Sequence, residues 1–126
     1  VVALDLDHFK EANDAYGHAA GDALLKATAA RIQSVLRPGD LVGRVGGDEF
    51  LVFLPGVAEW DTAAGIAARV RGAVCEPVAH DGRLLKPGAT LGVAIAPLDA
   101  RDPAVLARVA DEALIRAKRR ERGTIG

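Results

Sequence analysis

Two short acidic segments are the residues of this sequence best suited to chemistry. Asp5 and Asp7 follow an apolar run at the start of the chain, and Asp48 and Glu49 follow a pair of glycines. Alternation along a strand places Asp5 and Asp7 on one face, and a neighbouring hairpin would bring Asp48 or Glu49 beside them. Clustered carboxylates repel one another unless cations neutralise them, and oxygen ligands beside a phosphate favour Mg²⁺. Spacing alone leaves an alternative of similar weight, two unrelated solvated acidic turns.

Two other pairs of polar residues have ordinary structural interpretations when they are taken by themselves. Asn13 is predicted near a helix end, and Asp22 is predicted as a first-turn acid that the helix dipole favours. Lys118 and Arg122 are four residues apart, so they lie on one side of the last predicted helix, where cations suit the C-terminal end. The residues alone therefore favour structural roles for all four.

The elements that must position these residues alternate between strands and helices. Apolar periodicity, glycines and prolines mark the boundaries. The predicted strands are Val1–Leu6, Leu41–Val45, Phe50–Leu54, a weak pair around Asp81-Gly82, and Thr90–Ala96. The predicted helices are Phe9–Tyr16, Asp22–Leu36, Thr62–Val74 and Pro103–Arg120. This order predicts an α/β (α+β) fold in which helices cover a sheet, with Gly46-Gly47-Asp48-Glu49 as the turn of a β-hairpin that exposes its two acids.

Bulk properties limit the class of protein. The chain has 126 residues, of which half are hydrophobic, so one domain with its own core is expected. Its formal charge of −1 argues against a general nucleic-acid binder. Cys75 is the single cysteine, which excludes an intrachain disulfide and fits a reducing, cytoplasmic location. The opening apolar run is too short to span a membrane, so no membrane contact is expected of this segment.

A set of motifs resembles the GGDEF family of diguanylate cyclase domains in order and spacing. The opening motif is Asp5-Leu6-Asp7-His8-Phe9-Lys10, and the hairpin motif is Gly46-Gly47-Asp48-Glu49-Phe50. Between and after them come Asn13-Asp14, Gly17-His18, Gly21-Asp22, Arg37-Pro38-Gly39-Asp40, Ala110-Asp111, Ala113-Leu114 and Ala117-Lys118. No single motif is decisive, but the set is highly specific and covers nearly the whole chain.

The resemblance implies a fold and a domain organisation. Members of the family have a central, mostly antiparallel sheet flanked by helices, similar to the nucleotidyl cyclase and polymerase palm, a ferredoxin-like arrangement. Residues 1–126 would form a single GGDEF domain without the leading helix that the family has. Because the sequence has no methionine and begins inside a predicted strand, we expect it to be a piece of a longer multidomain protein with flanking sensor or effector domains. That parent could be anchored to a membrane through other segments.

The resemblance also implies the residues of an active site for GTP. The metal ligands would be Asp5, the carbonyl of Leu6, and Asp48, which hold two Mg²⁺ ions, with Mn²⁺ as a possible substitute. Asp48 and Glu49 would be the catalytic residues, with Glu49 as a proton acceptor or auxiliary ligand. The residues expected to bind the substrate are Asn13 and Asp22 at guanine, Gly46 and Gly47 at the turn, and His8, Phe9, Lys10, Lys118 and Arg122 at the phosphates.

The implied function is the condensation of two GTP molecules into cyclic di-GMP with release of two pyrophosphates. Each of two facing copies would bring one GTP, so a homodimer is expected. Arg37 and Asp40 match the family's RxxD site, where bound cyclic di-GMP would inhibit synthesis; without the family they are a plain surface turn. The main alternative is a catalytically silent GGDEF domain that binds GTP or cyclic di-GMP and regulates an adjacent domain such as a phosphodiesterase. A purely structural module is the third hypothesis.

Several positions depart from the usual family sequence. Ile115 stands where the family usually has Tyr, Glu121 where it usually has Gly, and Gly123 where Asn often follows the Arg. Pro87-Gly88 also differs from the usual strand sequence. These departures bear on the geometry at the end of the last helix rather than on the acidic residues, which are all present.

Overall fold

The computed structural model describes residues 1–126 as six strands and four helices. In chain order they are β1 (Val2–Asp7), α1 (Phe9–Tyr16), α2 (His18–Val35), β2 (Leu41–Gly46), β3 (Glu49–Phe53), α3 (Trp60–Val74), β4 (Val78–His80), β5 (Arg83–Leu85), β6 (Gly88–Val93) and α4 (Pro103–Arg120). None of the helices has the length and apolar character that crossing a membrane requires.

The main sheet has four strands in the order β2-β3-β1-β6, and every neighbouring pair of strands is antiparallel. Strands β4 and β5 form a separate hairpin. The prediction of a largely antiparallel sheet covered by helices is therefore confirmed. Because β1 lies between β3 and β6, its end is flanked on both sides by backbone that can position side chains.

The two faces of the sheet are covered by different helices. Because successive side chains of β1 point to opposite faces, alternate residues of this strand contact different helices. Val2, Leu4 and Leu6 belong to the larger core, which also contains residues of α2 and α3. Ala3 packs with residues of α4 in a smaller apolar cluster. Asp5 shares the face of Ala3, as does Asp7, because side chains alternate along a strand. Both acids therefore lie on the α4 side of the sheet.

Helix α4 approaches the sheet closely at a glycine of β6. A Cβ placed on Gly92 would lie 2.2 Å from the carbonyl oxygen of Ala110 and 2.3 Å from the amide nitrogen of Leu114. No larger residue fits this crossing without displacing the helix. The close approach brings the C-terminal turns of α4 over the end of β1.

The chain after α4 docks along the free edge of β6. The amide of Leu91 donates to the carbonyl of Thr124 at 2.9 Å, and the amide of Gly126 donates to the carbonyl of Leu91 at 2.8 Å. Glu121 ends the helix with an extended backbone (φ −165°, ψ 122°), and the positive φ of +79° falls on Gly123. A glycine at position 121 is therefore not needed to end this helix.

Several element boundaries and one exposure differ from the predictions. Helix α2 begins at His18 rather than Asp22, because Gly17 adopts φ 91° and lets the chain turn directly from one helix into the next. Asp22 is therefore in the second turn, beyond the main influence of the helix dipole. The hairpin turn is also tighter than predicted, since pairing continues to Gly46 and resumes at Glu49. As a result Asp48 and Glu49 are half-buried rather than exposed. Strand β6 begins and ends earlier than predicted, at Gly88 and Val93.

Candidate active site

The two acidic segments lie side by side at one end of the sheet. Asp5 is directly opposite Glu49 in the antiparallel register of β1 and β3. The amide of Leu6 donates to the carbonyl of Asp48 at 3.2 Å, which ties the glycine turn to the end of β1. The turn itself needs its second glycine, because Gly47 has φ 52°. These pairings bring together the residues expected to act on metal and substrate.

The C-terminal end of α4 supplies a cation to each aspartate of β1. The ammonium of Lys118 donates a hydrogen bond to Oδ2 of Asp5. The guanidinium of Arg122 lies 3.6 Å from Oδ1 of Asp7. Burial lowers the pKa of Lys118, and the charge of Arg122 adds to that effect. The two cations expected at the phosphates thus contact the acids of β1 in the ligand-free structure.

Negative charge at the site is nevertheless incompletely compensated. Oδ1 of Asp5 is buried and has no hydrogen-bond partner. The pKa of Glu49 is raised from 4.5 to about 7, first by burial, then by the nearby carboxylate of Asp111 and then by Asp48. A buried, unpartnered carboxylate oxygen is costly, so the site favours the arrival of a further cation.

The turn from β1 into α1 carries the residues expected at the phosphates. His8 caps α1 with a left-handed backbone (φ 57°, ψ 31°) and no side-chain capping bond. With Phe9, Asp7 and Arg122 it lines an open cavity of about 700 Å³ that continues toward the β4–β5 hairpin. Lys10 is exposed on the first turn of α1. The amides at this helix start and the cation of Arg122 therefore border the same space.

The residues expected to read guanine are brought together by a glycine. Gly21 lies against the side chain of Asn13, and a Cβ at Gly21 would fall 1.7 Å from Oδ1 of that amide. Asp22 follows directly and is exposed. The close contact of α1 with α2 therefore brings the amide of Asn13 to the residue that precedes Asp22, and an amide with a carboxylate can match the edge of guanine.

The RxxD residues are paired with each other at the far end of the hairpin. Arg37 donates from Nε and Nη2 to the two oxygens of Asp40 at 3.0 and 2.9 Å, and from Nη2 to the carbonyl of Pro55 at 3.0 Å. The side chain of Asp40 is 3% exposed, and the hydrogen bond from Arg37 holds its pKa below the usual value. Leu41 and Phe53 pair at this end, whereas Gly46 and Glu49 pair at the turn. The two sites are therefore separated by the length of the hairpin.

Sequence reasoning assigned no role to two residues that the structure places at the site. Asp111 lies near Glu49 and raises its pKa. Thr90 donates from Oγ1 to Oδ1 of Asp7 at 2.7 Å. Asp111 precedes Lys118 by seven residues, two helical turns, so helical spacing could have placed it beside the site. No local pattern could have indicated Thr90 and Asp7, because their contact joins β6 to β1.

Comparisons with known proteins agree with this architecture. Residues 1–124 match the family model described as "Diguanylate cyclase, GGDEF domain". Diguanylate cyclase TpbB of Pseudomonas aeruginosa is 43% identical over 125 residues, which is 98% of this chain and 29% of that protein. Cyclic di-GMP phosphodiesterase NbdA of the same species is 43% identical over 118 residues, 94% of this chain and 15% of that protein. A solved structure comprising only the GGDEF domain of TpbB has a TM-score of 0.94 at 42% identity, over 98% of this chain and 73% of that one.

The antiparallel sheet, the helices on both its faces and the glycine turn beside β1 define a domain with the palm-like cyclase fold. The chain belongs to the GGDEF family. It spans less than a third of the length of TpbB and NbdA.

The residues of the site fit the divalent cation that the family implies. Oδ1 of Asp5 is buried and lacks a partner, and Glu49 opposite it carries a raised pKa, so both would gain from a nearby cation. No three His, Cys, Asp or Glu side chains surround a common point. The remaining ligands would therefore be main-chain carbonyls and phosphate oxygens, as Mg²⁺ commonly takes beside a nucleotide.

Proposed function

We propose that this domain is a diguanylate cyclase that joins two GTP molecules into cyclic di-GMP and releases two pyrophosphates. The observation that supports the proposal most strongly is the pairing of Asp5 with Glu49 beside the glycine turn, where a buried carboxylate oxygen lacks a partner. The cyclase TpbB, 43% identical over 98% of this chain, adds to it.

In this proposal the chain's own residues bind, orient and accept a proton. Asn13 and Asp22 hold the guanine, and the amides of His8 and Phe9 with Lys10, Lys118 and Arg122 hold the phosphates. Asp5, the Leu6 carbonyl and Asp48 would hold Mg²⁺, which would neutralise the triphosphate and make the attacking 3′-hydroxyl more acidic. Glu49, which lies opposite Asp5 in the strand register, is suited to accept that proton. Gly46 and Gly47 leave room for the nucleotide against the turn.

The test is incubation of the longer protein with GTP and Mg²⁺, followed by detection of cyclic di-GMP. Asp48→Ala should abolish product while leaving the melting temperature nearly unchanged, because it removes a ligand on a turn. Asp61→Ala, an exposed acid in the first turn of α3, is the matched control and should keep full activity. Retained synthesis by Asp48→Ala would contradict the metal assignment.

A silent regulatory domain is the second candidate, because the phosphodiesterase NbdA carries a segment 43% identical to this chain. Both candidates predict that GTP raises the melting temperature more than ATP does in the presence of Mg²⁺. They differ in turnover, since only the cyclase forms product. Equal shifts with GTP and ATP would contradict the guanine assignment and favour a structural module.

Product inhibition at the RxxD residues completes the proposal. Arg37 and Asp40 are already aligned at the end of the hairpin remote from the turn, so a ligand there need not block the substrate site. Arg37→Ala should leave the initial rate of synthesis unchanged and raise the cyclic di-GMP concentration needed for half inhibition. An unchanged inhibition curve would exclude this site.

A further inference from the structure

Asp7 is a buried acid to which the proposed reaction assigns no role. Its side chain is 7% exposed and lies at the end of β1, two residues beyond Asp5 and on the same face. A carboxylate this deeply buried is costly unless polar groups surround it. The identity of those groups indicates what the carboxylate does.

The groups around Asp7 belong to β6 and to the chain after α4. Thr90, which is fully buried, donates from Oγ1 to Oδ1 of Asp7 at 2.7 Å. The same hydroxyl oxygen accepts the amide of Gly123 at 2.9 Å. Arg122 reaches the same carboxylate oxygen with Nη1 at 3.6 Å. Asp7 therefore contacts Arg122 directly and is linked to Gly123 through the hydroxyl of Thr90. Both residues belong to the segment that follows α4.

Two glycines make room for the carboxylate of Asp7. Gly88 is opposite Asp7 in the β1–β6 register, and a Cβ there would lie 3.3 Å from Oδ2. A Cβ on Gly123 would lie 3.9 Å from the same oxygen and 3.2 Å from Nη2 of Arg71. These glycines are at two of the positions where the chain departs from the usual family sequence. Both departures therefore lie beside Asp7 and leave space that a larger side chain would take up.

Arg122 needs such an anchor because the helix does not hold it. Helix α4 ends at Arg120, Glu121 is extended, and the side chain of Arg122 is 48% exposed. An arginine free to sample its rotamers loses conformational entropy when a ligand fixes it. A contact that already orients the guanidinium before the ligand arrives reduces that loss.

We propose that Asp7 is a positioning residue: with Thr90 it holds Arg122 and the segment after α4 at the phosphate end of the site. The inference rests on the proposed function for the role of Arg122 at the terminal phosphates. Asp7 acts on the substrate site through Arg122. Its charge orients the guanidinium, and its hydrogen bond to Thr90 fixes the backbone that carries it.

The first experiment uses the ligand-free protein. Thr90→Val keeps the shape of the side chain and removes the hydroxyl, so hydrogen exchange at the Gly123 amide should become about tenfold faster. The Gly126 amide, which donates to Leu91, should change less than about twofold. In Asp7→Asn the Nε of Arg122 should become more mobile in nitrogen relaxation measurements. Thr28→Val, another fully buried threonine, is the control and should alter neither probe. Unchanged probes in both test variants would overturn the proposal.

The second experiment measures binding of a non-hydrolysable GTP analogue and of GMP in the presence of Mg²⁺. Asp7→Asn should weaken binding of the analogue about tenfold and leave GMP binding unchanged, because only the analogue has terminal phosphates for Arg122. In a protein that already carries Arg122→Gln, adding Asp7→Asn should weaken binding of the analogue only slightly further. The proposal would be overturned if Asp7→Asn lowered the affinities for the analogue and for GMP equally. It would also be overturned if the effects of Asp7→Asn and Arg122→Gln on the affinity for the analogue were fully additive. A wild-type protein that binds neither nucleotide would contradict the proposed function instead, and the exchange and relaxation experiment would still decide whether Asp7 holds this segment.

Discussion

At the scale of single residues, the site holds opposite charges that a ligand would rearrange. Lys118 occupies Oδ2 of Asp5, while Oδ1 of the same carboxylate has no partner. The divalent cation of the proposed function would therefore compete with the Lys118 ammonium for one carboxylate. When a triphosphate is present, the ammonium has an alternative anion to contact, so cation and nucleotide should bind more favourably together than separately.

This competition predicts opposite effects of one substitution on two ligands. Lys118→Gln should increase the affinity for Mg²⁺ alone, because it removes the competing ammonium, and should weaken GTP binding, because it removes a phosphate contact. Both can be measured by calorimetric titration of the ligand-free protein. Arg119→Gln removes an exposed charge one residue away and should alter both affinities little. A fall in both affinities for Lys118→Gln would contradict the competition.

A second residue-scale prediction concerns pH. The pKa of Glu49 is about 7 in the folded chain against an ordinary 4.5, so the folded state favours the protonated acid. The resulting stability is complete below about pH 4.5 and is lost as the pH rises through 7. In the presence of a chelator, Glu49→Gln should therefore melt about 3–5 °C higher than wild type at pH 8, since roughly 1 kcal/mol remains after solvent screening. The two proteins should melt nearly together at pH 4.5.

The control for the pH prediction is Glu112→Gln, which removes an acid that is 55% exposed on α4. Its melting temperature relative to wild type should not depend on pH. If the melting temperature of Glu49→Gln relative to wild type is also independent of pH, then burial and the carboxylates of Asp111 and Asp48 do not raise the pKa of Glu49.

At the scale of elements, the sequence predicted local features well and contacts between elements poorly. Helices α1 and α4 have the predicted bounds, because a glycine and a favoured first-turn proline mark their ends. The start of α2 was placed four residues late, since the apolar stripe begins later than the helix itself. The motif positions of Asp5 and Glu49 could be read from the chain, but their register, the half-burial of the turn and the Thr90 contact depend on strand pairing.

Packing of α4 on the sheet yields the element-scale prediction. Gly92→Ala should lower the free energy of unfolding by about 3 kcal/mol or more, because its Cβ would meet the backbone of Ala110 and Leu114 at 2.2 and 2.3 Å. Gly43→Ala is the matched strand control, since nothing lies within 4 Å of its Cβ. Denaturant unfolding of both variants gives the comparison. Similar denaturation midpoints for the two variants would mean that α4 can move away from β6 with little loss of stability. Lys118 and Arg122 would then move with the helix.

At the scale of the whole molecule, one domain would hold one GTP in the proposed reaction, which joins two. The acidic residues, the glycine turn and the cations of α4 all lie at one end of the sheet, so a second nucleotide must be presented by another copy facing that end. At low concentration, synthesis per chain should therefore rise in proportion to chain concentration and should level off once most chains are paired. Initial rates over a hundredfold dilution series, with light scattering on the same samples, measure this. A rate per chain that stays constant while scattering reports only monomers would mean that a single copy completes the reaction, and the requirement for two facing domains would be wrong.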